Sequence, residues 1–161
     1  MHNYTLYHCL DLVNISMKLK LTLLFLFIFF NQLTLATELG QLSPAQLIKL
    51  QKQQNALVID IRTEKEWAAT GIIPDSHKLQ FFSSNGKYNP QQWLSRLEQL
   101  KTSNDQPVIL VCRSGSRSSF VGDMLIKKGM KNVHHLSTGI LPWIKAGNKI
   151  SKDCPTQLAC K

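Results

Sequence analysis

The chain has 161 residues, 43% hydrophobic and 18% charged, which suits one globular domain and excludes a disordered or fibrous chain. A formal charge of +9 admits an anionic substrate or surface, but the basic residues are scattered and form no run, which speaks against nucleic acid as a partner. Four cysteines are too few for a disulfide-stapled scaffold.

At the N-terminus, Lys18 and Lys20 precede an apolar run over residues 21–30, and Leu33-Thr34-Leu35-Ala36 follows. This order of charge, apolar run and small residues predicts a secretory signal peptide cleaved after Ala36. The run is shorter than the roughly 20 residues that span a bilayer; the alternative, an uncleaved anchor, would tie the protein to a membrane. Met17-Lys18-Leu19-Lys20 reads as a natural start, which makes residues 1–16 an upstream extension and leaves Cys9 without a role. A mature chain from Thr37 would be exported, to the periplasm or beyond, where disulfides persist. It would comprise a domain over residues 37–150 and a polar tail, 151–161, carrying Cys154 and Cys160. Those two are expected to pair with each other and leave Cys112 free; the alternative gives one of them a resolving role against Cys112.

Ser43-Pro44 opens the first predicted helix, since serine suits the N-cap and proline the first turn. Leu47, Ile48 and Leu50 give that helix an apolar side. The apolar run over residues 56–61 suits a strand buried on both faces, as in a parallel sheet. Glu64-Lys65-Glu66-Trp67 starts a short helix that Gly71 ends, and residues 78–82 read as another strand. Asn89-Pro90 caps a helix with Trp93, Leu94, Leu97 and Leu100 on one face. Residues 107–111 form the strongest strand and run straight into Cys112. Ser118 to Lys128 reads as a helix stopped by Gly129, with Phe120, Val121, Met124 and Leu125 at helical spacing. A short strand over residues 133–136 and a helical turn from Gly139 close the chain. Strands alternating with helices predict an α/β domain: a mostly parallel central sheet of about five strands with helices on both faces.

Chemistry concentrates in Cys112-Arg113-Ser114-Gly115-Ser116-Arg117-Ser118. A cysteine at the carboxyl end of a central parallel strand sits where open α/β sheets place their ligands. A loop of small residues can turn successive backbone N–H groups toward one point, aided by the N-terminal end of the following helix. Such surroundings, with Arg113 and Arg117 adjacent, favour a reactive thiolate. The competing reading is a small core residue ending a buried strand, but Arg-Ser-Gly-Ser-Arg is a strange continuation for one. His134 and His135 are adjacent in a strand and point to opposite faces, so they make no metal pair, and His77 stands alone. With no metal-ligand spacing and no glycine-rich nucleotide loop, neither metal nor cofactor is expected.

Residues 111–118 resemble the active-site loop of the rhodanese family. Three further segments agree in order: Asp60-Ile61-Arg62 with Glu66-Trp67, Gly71-Ile72-Ile73-Pro74, and Gly139-Ile140-Leu141-Pro142-Trp143. The sequence departs from the family pattern at Ile72, often histidine, at Asp75-Ser76, where the family has Gly-Ala, and at Gly139, the remnant of a double glycine. The resemblance implies a sulfurtransferase in which Cys112 carries a sulfane sulfur as a persulfide. The backbone amides from Arg113 to Ser118 would point at the outer sulfur, and Asp60 and Arg62 would brace the loop. For Arg62 the alternative is a surface ion pair with Glu66; for Arg113, a solvated side chain instead of a grip on a dianion such as thiosulfate. Four residues separate Cys112 from Arg117, one fewer than in cysteine phosphatases of similar fold, which favours a single sulfur atom over a phosphoryl group. The partners implied are a small anionic sulfur donor and a thiol, cyanide-like or protein acceptor. Two other readings compete: a non-catalytic rhodanese-like binding module, and a thiol-redox protein using Cys112 with a tail cysteine.

Overall fold

The computed structural model describes residues 38–152. The predicted signal peptide, Cys9, Cys154 and Cys160 lie outside the described residues. In chain order the elements are β1 (Gly40–Leu42), α1 (Pro44–Gln53), β2 (Leu57–Asp60), α2 (Glu64–Thr70) and β3 (His77–Lys78). Then follow α3 (Pro90–Leu100), β4 (Val108–Val111), α4 (Ser116–Lys127), β5 (Val133–Leu136) and α5 (Ile140–Lys145).

The strands form one five-stranded sheet in the order β1-β5-β4-β2-β3, with every pairing parallel. All four residues of β2 and of β4 are buried, because helices cover both faces of the sheet. Side chains alternate between two cores. Leu57, Ile59, Val108 and Leu110 pack with Trp93 and Leu97 of α3 and Val121 and Leu125 of α4. Val58, Ile109 and Val111 pack on the other side with Leu47 of α1 and Ile140 and Trp143 of α5. The fold is therefore the α/β sheet with helices on both faces that the sequence predicted.

Local signals account for most boundaries. Ser43 and Thr63 each form a capping box, with Gln46 and Glu66 reaching back to the cap N–H. Asn89 caps α3 by accepting from Gln92 N. Three elements differ from expectation. The edge strand β1 was not expected; it is three residues long, and only its pairing with β5 defines it. The strand expected over residues 78–82 is reduced to His77–Lys78, although Leu79 N and Phe81 N still donate to Asp60 O and Ile61 O. Helix α4 begins at Ser116, two residues before the expected Ser118, because Gly115 takes a left-handed conformation (φ 97°) as its N-cap. Ser151, assigned to the tail, forms a two-way backbone bridge with Ile72.

Among the described residues no helix is long and apolar enough to cross a membrane.

Candidate functional site

Strand β4 is the middle strand, flanked by β5 and β2, and its carboxyl end delivers Cys112. Cys112 is a free thiol with no solvent exposure, packed at the top of the core that α4 covers. Its sulfur nevertheless has polar partners: Gly115 N donates to Sγ at 3.1 Å, and Ser118 Oγ lies 3.3 Å away. The backbone turns sharply here because Gly115 adopts a positive φ, and a Cβ on it would run into the carbonyl of Ser137.

The loop is held from below and from the side. Ile140 N donates to Cys112 O at 2.9 Å and Leu141 N to Arg113 O at 3.3 Å, so the start of α5 anchors its first two residues. Gly139, also at positive φ, lies so close to the Arg113 backbone that a side chain there would collide with it. Arg113, Ser114 and Ser116 are exposed, whereas Gly115 and Ser118 are buried. The backbone amides from Arg113 to Ser118 were expected to point at the outer sulfur of a persulfide on Cys112. At Sγ of the free thiol the main-chain donor is Gly115 N. The first N–H groups of α4 have no intrahelical partner, and no side chain caps them, so they remain donors at the loop mouth.

Asp60 and Arg62 are placed differently from expectation. They form a buried pair, each side chain 1% exposed, with Arg62 Nη2 to Asp60 Oδ2 at 2.7 Å. Arg62 Nε also donates to Asp60, while Nη1 donates to Thr70 Oγ1 at 2.8 Å and Nη2 to Gly71 O at 2.7 Å. The pair thus ties the end of β2 to the end of α2, and none of these bonds goes to residues 113–118. Glu66 is not the partner of Arg62 but of Arg117, whose Nη1 and Nη2 donate to Oε2 at 2.9 Å and Oε1 at 2.6 Å. This two-pronged grip fixes Arg117 beside the loop. Burial alone would raise the Glu66 carboxyl, but hydrogen bonds from Arg117 and Thr63 outweigh it and hold its pKa at about 2. Arg117 is shifted upward, chiefly by its hydrogen bonds to Glu66, and it feels the charges of Cys112 and Asp60 as well.

Two contributors escaped the reading of the sequence. Glu66 carried a legible signal, the Thr63-x-x-Glu66 capping box, but not its reach to Arg117, 51 positions away. His135 comes from β5, and its Nδ1 lies 3.3 Å from Ser118 Oγ. Among the described residues no group of three or more His, Cys, Asp or Glu side chains is placed to hold a metal ion. A separate cleft of about 740 Å³ lies beside α2 and α3, lined by Trp67, Lys78, Lys87, Tyr88 and Arg96 among others; Cys112 is not part of its wall.

A parallel α/β sheet that feeds a buried thiol into a glycine-kinked loop at a helix start defines a thiol-loop α/β protein, suited to holding sulfur or a small anion at its cysteine. The family model of the rhodanese-like domain matches residues 43–146, and the chain belongs to that family. It is 30% identical over 99 residues to a sulfurtransferase of Allochromatium vinosum, covering 62% of this chain and 81% of that one. It is 34% identical over 98 residues to the tRNA uridine(34) hydroxylase of Prochlorococcus marinus, covering 60% of this chain and 30% of that one. The chain spans about a third of the length of the hydroxylases it matches. A thiosulfate sulfurtransferase from Pseudomonas aeruginosa shares the fold, with a TM-score of 0.57 at 20% identity over 70% of this chain and 20% of that one.

Proposed function

We propose that this protein is an exported sulfurtransferase that moves a sulfane sulfur from a small anionic donor, such as thiosulfate, to a thiophilic acceptor through a persulfide on Cys112. One observation carries the reading: the Cys112 sulfur accepts a main-chain hydrogen bond from Gly115 at 3.1 Å beneath a loop that opens an uncapped helix. The Cys112 thiolate attacks the outer sulfur of thiosulfate. The S–S bond of the donor breaks, and sulfite leaves with its electron pair. An acceptor nucleophile then attacks the outer sulfur of the persulfide, forms its own bond to sulfur and releases the Cys112 thiolate. With cyanide as acceptor the product is thiocyanate. Donors already fixed in place stabilise the charge on sulfur without reorganising, and Arg113, exposed and next in sequence to Cys112, is the cation we assign to gripping an incoming dianion.

The test is the intact mass of the protein after incubation with thiosulfate, followed by discharge with cyanide. Wild type should gain one sulfur and lose it again as thiocyanate forms, and Cys112→Ala should do neither. Equal turnover in the two proteins would refute the use of Cys112. The same spectrum of protein recovered from the producing cells reads export processing, because cleavage after Ala36 leaves a chain starting at Thr37.

A further inference from the structure

Three buried side chains from three elements stand in line behind the loop. They are Cys112 after β4, Ser118 in the first turn of α4 and His135 in β5, with exposures of 0%, 0% and 5%. Sγ and Oγ are 3.3 Å apart, and Oγ and Nδ1 are 3.3 Å apart. The Ser118 hydroxyl has a single proton and two lone pairs. Three acceptors compete for that proton: Gly115 O at 2.9 Å, the sulfur, and Nδ1 whenever that nitrogen is unprotonated.

The tautomer of His135 decides the competition. Against the effect of burial, the Gly115 backbone favours the protonated ring, as an acceptor beside a ring nitrogen does. The Gly115 N–H is already committed to Cys112 Sγ, so what Gly115 offers the ring is its carbonyl. A carbonyl only accepts, and it lies 2.9 Å from Ser118 Oγ, so the ring nitrogen facing this corner must be a donor. With the proton on Nδ1, the ring fills a lone pair of Ser118 Oγ, while the Gly115 carbonyl already accepts from Ser119 N at 2.9 Å. The serine proton is then left for the sulfur, which as a thiolate is the stronger acceptor. With the proton on Nε2 instead, Nδ1 would take the serine proton and the sulfur would lose it.

We propose that His135 is a positioning residue for Cys112, held as the neutral Nδ1–H tautomer so that Ser118 donates its proton to the sulfur. Burial lowers the ring's affinity for a second proton, against the pull of Asp123 and Gly115, which keeps it neutral near pH 7. The inference gives the proposed sulfur transfer a third hydrogen-bonding layer and rests on that reading for its functional meaning. The hydrogen-bond direction itself can be read without sulfur transfer.

The experiment compares wild type, His135→Leu, His135→Asn, His135→Gln and Ser118→Ala, each confirmed folded by its near-ultraviolet circular dichroism. The first readout is the rate of Cys112 alkylation by iodoacetamide at pH 7. The second is the split between KM for thiosulfate and kcat. An asparagine amide occupies the place of Nδ1, whereas a glutamine amide reaches toward Nε2. His135→Leu should slow alkylation roughly tenfold, as expected for one hydrogen bond to a charged group. It should also lower kcat more than it changes KM. His135→Asn should restore most of the rate, and His135→Gln should not. Adding His135→Leu to Ser118→Ala should cost nothing further, because the histidine acts through the serine. Equal rates for leucine and asparagine variants, or independent losses in the double variant, would overturn the proposal. If wild type alkylates as expected but takes no sulfur from thiosulfate, the sulfurtransferase reading fails while the role of His135 stands.

Discussion

Replacing Glu66 by glutamine removes the charge that grips Arg117 and keeps the side chain's shape. The grip consists of two hydrogen bonds of 2.9 and 2.6 Å. Burial acts to raise the Glu66 carboxyl, yet the bonds from Arg117 and Thr63 prevail and bring its pKa from 4.5 to about 2. A carboxyl whose folded pKa is depressed binds its proton more readily in the unfolded chain. Its contribution to stability is therefore complete above pH 4.5 and disappears as the pH falls toward 2. The whole shift would amount to about 3 kcal/mol. The two side chains are 31% and 26% exposed, and solvent screening reduces the expected value to about 1–2 kcal/mol. Urea denaturation of wild type and Glu66→Gln should differ by that amount at pH 7. The difference should shrink steadily below about pH 4.5, because the wild type alone loses the term. A difference that stays constant, or widens in acid, would refute the reasoning. Sulfur loading from thiosulfate should slow as well, since Arg117 is no longer fixed beside the loop.

Two further outcomes follow from the site. Arg62→Met leaves Asp60 buried without its partner and should cost about 3–5 kcal/mol in urea denaturation; a loss below about 1 kcal/mol would mean that the pair is solvated after all. Gly115→Ala forces a side chain into a left-handed position against the Ser137 carbonyl and displaces the one amide bonded to sulfur. It should lower the denaturation midpoint and slow Cys112 alkylation together, and a variant matching wild type in both measurements would contradict the described turn.

What the sequence determined by itself was local. The apolar run over residues 56–61 declared a strand buried on both faces, as a sheet covered by helices on each side requires, and residues 107–111 declared the strand that delivers Cys112. Ser43 and Asn89 announced helix starts because a cap is a contact between residues three apart. Cys112 at a strand end, followed by a glycine among serines, located the site. The partners that complete it were settled only by the tertiary structure. Glu66 reaches Arg117 across 51 residues, and Ser118 meets His135 across 17, distances over which chain pattern carries no information. Arg62 had two sequence-based roles and took neither, because Asp60 two residues earlier was already in place to bury with it. The edge strand β1 was hidden for a related reason: three residues carry no period of their own, and the backbone of β5 alone makes them a strand.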